Sequence, residues 1–157
     1  MPAYWPRLAK RLHGLRRLRS PGDALLLVRI FLFAAFVPLL LRLKLPTLLS
    51  LLEPKRARPL PDPAKTAKIV RYVQAVLRFG KPVVRPGCLT RGLTLFYFLR
   101  RAGVEVALCF GTGAPEGKFE GHCWLVKEGE PFLEGVDPRP VFTEIYRSGP
   151  RLAGPQV

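Results

Sequence analysis

The chain predicts an α+β domain, with helices first and an antiparallel sheet after them, on three observations. Apolar residues recur at helical spacing as far as Gly103, and from Val104 they alternate in short runs separated by glycine turns. The third is size: 157 residues, 48% of them hydrophobic, are enough to bury one core and exclude a disordered chain.

The elements follow in order. From Pro6 to Arg19, Leu8, Leu12, Leu15 and Leu18 stand at helical spacing among arginines and a lysine. Such a basic amphipathic helix can cover the domain, meet a partner or lie on an anionic membrane. Ser20-Pro21-Gly22-Asp23 breaks the chain and offers Asp23 as a cap. Ala24 to Leu41 is apolar except for Arg29 and Pro38. Its length approaches the roughly 20 residues of a membrane span, but an arginine near its first third costs roughly 2–3 kcal/mol on insertion scales. A helical hairpin ending at Leu48–Leu52 is therefore preferred to a span, and no small-residue cleavage site follows to mark a signal peptide. The proline-rich stretch from Glu53 to Pro61 reads as a linker. It divides a helical N-terminal region, 1–61, from a core, 62–157.

Asp62-Pro63 sets a capping carboxylate before a proline at the first helical position, and Ile69, Val70, Val73, Val76 and Leu77 line one face up to Gly80. After a loop over Lys81–Gly87, the run from Cys88 to Leu99 is apolar almost all round, as in a helix buried mid-fold. Arg100 and Arg101 fill its last turn and Gly103 ends it. Val104, Val106, Leu108 and Phe110 alternate with Glu105, Ala107 and Cys109 as a strand. Gly111–Gly117 is a loop, and two more strands, Phe119–Val126 and Glu130–Val136, flank the turn Lys127-Glu128-Gly129.

Net charge is +15. Residues 1–62 hold 12 Lys and Arg against 3 Asp and Glu, and the rest hold 14 against 8, so the excess is densest away from the sheet. That balance suits an acidic peptide or an anionic membrane surface, and serves plain solubility equally well. No nucleic-acid module accompanies it, so nucleic acid is not an expected partner. Three cysteines without a CxxC pair suggest neither a disulfide framework nor a zinc site, and they fit a reducing compartment. The expected location is the cytoplasm, with peripheral membrane attachment open. No cofactor or metal is expected.

Chemistry concentrates in three residues. Cys88 opens a helix just after Pro86-Gly87, where free amides and the helix dipole favour a thiolate and can hold an oxyanion. A buried cysteine acting as a small hydrophobe fits that position as well. Of the two histidines, His13 lies in the basic N-terminal stretch and His122 in the sheet, which makes His122 the candidate base. A three-residue loop over Lys127-Glu128-Gly129 pairs Val126 with Glu130, hence His122 with Glu134 on one face, where the carboxylate can orient the imidazole. A two-residue loop would turn Glu134 away. Asp137 is the reserve. Cys109 and Cys123 read as packing residues.

Cys88-Leu89-Thr90-Arg91, Leu99-Arg100-Arg101-Ala102-Gly103 and Gly121-His122-Cys123-Trp124-Leu125-Val126 together resemble the transglutaminase-like cysteine proteases of lasso-peptide biosynthesis. These are leader peptidases that mature a ribosomally made precursor. The resemblance implies a papain-like core with a catalytic helix packed on an antiparallel sheet. It makes Cys88 the nucleophile, His122 the base and Glu134 the occupant of a slot usually held by Asp, while Cys123 replaces a small residue. It further implies the precursor peptide as substrate, and a separate leader-recognition protein and a cyclase as partners. Two alternatives stand beside it. One is an acyltransferase using the same triad; the other is a non-catalytic membrane-associated or peptide-binding protein with the same fold.

Overall fold

The computed structural model describes residues 20–54 and 59–148. The expected basic helix over Pro6–Arg19, with His13, lies outside them.

Helix α1, Pro21–Leu40, starts where proline at its first position pre-sets the helical φ. Its cap is Ser20, whose hydroxyl accepts from the Asp23 amide at 3.3 Å. Asp23, expected as the cap, instead sits buried in the first turn and pairs with Lys68 at 2.6 Å. Pro38 falls in the last turn, so the helix ends two residues beyond it. Helix α2, Leu45–Leu52, completes the expected hairpin and buries Leu48, Leu49 and Leu52. Helix α3, Pro63–Phe79, begins as expected, with the Asp62 carboxylate accepting from the Ala64 amide at 2.8 Å.

Helix α4, Cys88–Arg101, is the centre of the molecule and packs on α1, α3 and the sheet. Gly92 makes the close approach to the sheet feasible: a Cβ there would lie 2.7 Å from the Cys123 sulfur. At the far end, the Val104 amide donates to Leu99 O at 3.0 Å across Gly103, whose φ is 87°. This left-handed termination satisfies the last carbonyls and uses Val104. The first strand, expected from Val104, therefore begins later.

Strands β1 (Ala107–Gly113), β2 (Glu120–Lys127), β3 (Glu130–Phe132) and β4 (Phe142–Arg147) form one antiparallel sheet in the order β3-β2-β1-β4. Helix α4 covers the face bearing Leu108, Phe110, Cys123 and Leu125, while Cys109, Trp124 and Val126 cluster with Phe142 on the other face. One continuous set of buried side chains runs from Ile30 and Val37 through Phe96 to Leu125. The helical N-terminal part and the sheet thus share a core.

Three details of the sheet differ from expectation. The β2–β3 turn has two residues rather than three, since Lys127 pairs with Glu130. Both turn residues are left-handed, Glu128 at φ 53° and Gly129 at 87°, the conformation that matches the twist of a tight hairpin. Strand β3 stops at Phe132 rather than running to Val136, because Leu133 is also left-handed, at φ 64°. Finally, β4 was not anticipated. It pairs with β1 and not with β3, so the sheet is more than a meander.

Candidate active site

Cys88 is the first residue of α4, and Gly87 before it caps the helix with no side-chain hydrogen bond. No side chain therefore competes for the first-turn amides, and the positive end of the helix lies at the thiol. Cys88 is half-buried, whereas Cys109 and Cys123 are fully buried and all three are free thiols. Burial pushes the Cys109 thiol up to about 12 and raises that of Cys123 as well. Both are inert packing groups at neutral pH.

Arg91 follows Cys88 by one helical turn. Its Nη1 donates to Glu134 Oε1 at 2.5 Å and its Nη2 to the Leu133 carbonyl. The other carboxylate oxygen, Oε2, lies 3.5 Å from His122 Nε2. The Glu134 side chain is only 11% exposed, so its charge is compensated by Arg91 rather than by water. The imidazole stacks with Phe142, at a centroid separation of 5.0 Å, and with Trp124, at 5.9 Å. Aromatic packing fixes the ring plane and the carboxylate faces one ring nitrogen.

The structure brings Glu134 to His122 by a route other than the expected one. In the observed register Leu125 faces Phe132, so a regular continuation would set residue 134 opposite Cys123, on the α4 face. The left-handed residue Leu133 breaks that alternation. Beyond Leu125, β2 has no strand partner on this side, and Leu133-Glu134 turns across the open edge. From there one carboxylate meets Arg91 of the helix layer and His122, which shares the opposite face with Trp124. The separation from His122 is an ion-pair distance and exceeds the 2.6–3.2 Å of a tight catalytic hydrogen bond.

Asp137, the reserve, lies away from the imidazole. It is exposed and held by Arg139 at 2.7–3.0 Å, and the hydrogen bond from Arg139 keeps its carboxyl below the usual range. Among the described residues, no hydrogen bond joins the Cys88 sulfur to His122. No group of three or more His, Cys, Asp or Glu fit to hold a metal occurs among them either.

Two members of this constellation were given no function from the sequence, Arg91 figuring there only as part of the Cys88-Leu89-Thr90-Arg91 motif. Arg91 carried a usable signal: a lone cation in the first turn of an otherwise apolar helix needs a buried acid. Phe142 carried none until β4 was known to pair with β1.

A family model described as the transglutaminase-like superfamily matches residues 27–147, from inside α1 to the end of β4. No curated protein and no solved structure matches the chain significantly.

Proposed function

The chain belongs to the transglutaminase-like superfamily, which includes cysteine peptidases and acyltransferases, and on that premise we propose that it is a cysteine peptidase that removes the leader from a ribosomally made precursor, as in lasso-peptide maturation. The observation that carries this reading is the chain of contacts from the first turn of α4 through Arg91 and Glu134 to His122. It leads from the helical turn that begins with the half-buried Cys88 thiol to a histidine that also stacks on Trp124 and Phe142.

In this reading the Cys88 thiol gives its proton to the His122 nitrogen that faces away from Glu134. The thiolate attacks the scissile carbonyl, and the first-turn amides of α4 stabilise the oxyanion. Collapse of the tetrahedral intermediate breaks the C–N bond, and the imidazolium protonates the departing amine. Water, deprotonated by His122, then cleaves the thioester and frees the leader carboxylate. Glu134 orients the imidazole and stabilises its protonated form, while Arg91 positions Glu134. The lasso assignment is supported by the motifs around Cys88 and His122. A separate leader-recognition protein and a cyclase would complete the pathway.

The test is incubation of the purified chain with a leader–core precursor, alone and with its recognition protein, followed by mass spectrometry. One cut that leaves a free carboxylate is expected, with no cut by Cys88→Ala. Products ending in an amide when an amine is supplied would move the reading to acyl transfer. Equal cleavage by Cys88→Ala would overturn it.

A further inference from the structure

Helix α1 has one buried face and one bare face. Leu25, Val28, Leu32, Phe36 and Leu39 recur at intervals of three and four, and each is 51–57% exposed. They form one apolar stripe, and Leu41 and Leu43 extend it. Soluble surfaces rarely carry such a patch without a partner.

The helix is long and apolar enough, by length and composition, to cross a membrane. Its inner face forbids that. Ile30, Ala34 and Val37 are fully buried within the shared core, and Asp23 is tied to Lys68 of α3. Crossing a bilayer would strip these contacts from α3 and α4. The helix can meet lipid only by lying flat.

Charge identifies the lipid. Arg29 is exposed on α1, and Arg42 and Lys44 are exposed just beyond its end. The acids on this side, Asp23 and Glu53, already hold Lys68 and Arg100. Beside the stripe, a groove of about 720 Å³ has Leu32, Phe36 and Phe98 among its walls and Arg29, Lys65 and Arg101 along it. An apolar trough with basic residues beside it matches an acyl chain beneath an anionic headgroup.

We propose that this face of α1 docks on an anionic lipid surface with the helix axis in the membrane plane. The apolar stripe enters the acyl boundary, and Arg29, Arg42 and Lys44 meet headgroups. This docking does not depend on the peptidase reading.

The full chain is tested by flotation with vesicles of 30% phosphatidylglycerol in phosphatidylcholine and with phosphatidylcholine alone. Binding to the anionic vesicles is expected, at least tenfold stronger than to the neutral ones, and an alkaline wash should release it. Leu32→Asp/Phe36→Asp should abolish flotation while leaving far-UV circular dichroism and melting unchanged. Because these residues are exposed, such a variant should fold; if it does not, Leu32→Ser/Phe36→Ser serves with the same readout. Arg29→Gln/Arg42→Gln should weaken binding by about fivefold per charge removed. Undiminished flotation of the stripe variants would assign the membrane contact to another surface, residues 1–19 included, and overturn the proposal. So would equal binding to neutral vesicles, or resistance to alkaline wash, which marks a spanning helix. No flotation together with a dimer that dissociates in Leu32→Asp/Phe36→Asp would show a second copy of the chain on this face instead.

Discussion

The two ends of α4 carry the same chemistry to different purposes. At the N-terminal end Arg91 holds Glu134; at the C-terminal end Arg100 holds Glu53 at 3.0 Å and Glu105 at 2.7 Å. The difference lies in which partner is buried. Near Cys88 the carboxylate is hidden, at 11% exposure, and its second oxygen faces an imidazole. At the far end the guanidinium is hidden, at 8% exposure, packed 5.9 Å over the Phe96 ring, and its acids reach into solvent. A buried cation with wet partners fastens a helix end. A buried acid with a histidine on its free oxygen is suited to chemistry, since it is held where its charge acts on one ring.

The largest effect expected from this contrast is on turnover. Glu134→Gln should lower kcat for precursor cleavage by roughly 100-fold or more with folding intact, because an amide can support the wrong imidazole tautomer. Glu105→Gln at the opposite end should leave kcat unchanged and alter stability by less than about 0.5 kcal/mol. Equal kcat values for the two variants would erase the distinction.

Stability separates the ends next. Arg91→Met leaves a buried carboxylate uncompensated and should cost about 2–3 kcal/mol in urea unfolding. Arg100→Met leaves acids that water can solvate and refills an apolar site, so a loss of about 1 kcal/mol or less is expected. The reverse order would mean that the C-terminal end is the strained one.

One residue beyond Arg91, Gly92 meets Cys123. Gly92→Ala should destabilise by about 1–2 kcal/mol through overpacking. In Gly92→Ala/Cys123→Ala the freed volume takes the new methyl, and the two changes should couple favourably by about 1 kcal/mol. Simple additivity would show that the helix shifts instead.

The smallest effect is on pH dependence, and the sign follows from burial. The folded state holds the Cys109 thiol protonated to about 12, against an ordinary value of 9.0. Its contribution to stability is therefore complete below pH 9 and is lost as pH rises from 9 towards 12. Melting temperature should fall across that window, and Cys109→Ala should flatten the fall. At neutral pH iodoacetamide should label Cys88 alone, until denaturant exposes the other two. Rapid labelling of all three in the native protein would contradict the packing.

What the sequence disclosed and what it hid divide along the range of the interactions involved. The Asp62-Pro63 start, the Gly103 stop and the apolar run after Cys88 are local signals, so α3 and α4 were legible within a residue or two. Cap identity at α1 failed narrowly, because Ser20 and Asp23 are both good caps and only the tertiary pairing with Lys68 separates them. The hairpin failed because Glu128 adopts a left-handed conformation that a non-glycine residue rarely takes. Strand β4 escaped because its pairing with β1 joins segments thirty residues apart. Glu134 was named from an incorrect register, and its contact with His122 depends on Leu133, whose conformation no local pattern announces.

That residue has a consequence of its own. The face on which a strand residue emerges behaves as a parity, and a single-residue departure from the extended conformation reverses it. Between His122 and Glu134 there is one such departure in the strands, the left-handed Leu133, since β2 and β3 pair without irregularity on either side of the two-residue turn. A change that returned residue 133 to an extended conformation should therefore carry the acid to the α4 side of the sheet, opposite Cys123, and part it from His122. The Arg91 guanidinium, bound both to the Leu133 carbonyl and to the Glu134 carboxylate, acts as the check on that reversal.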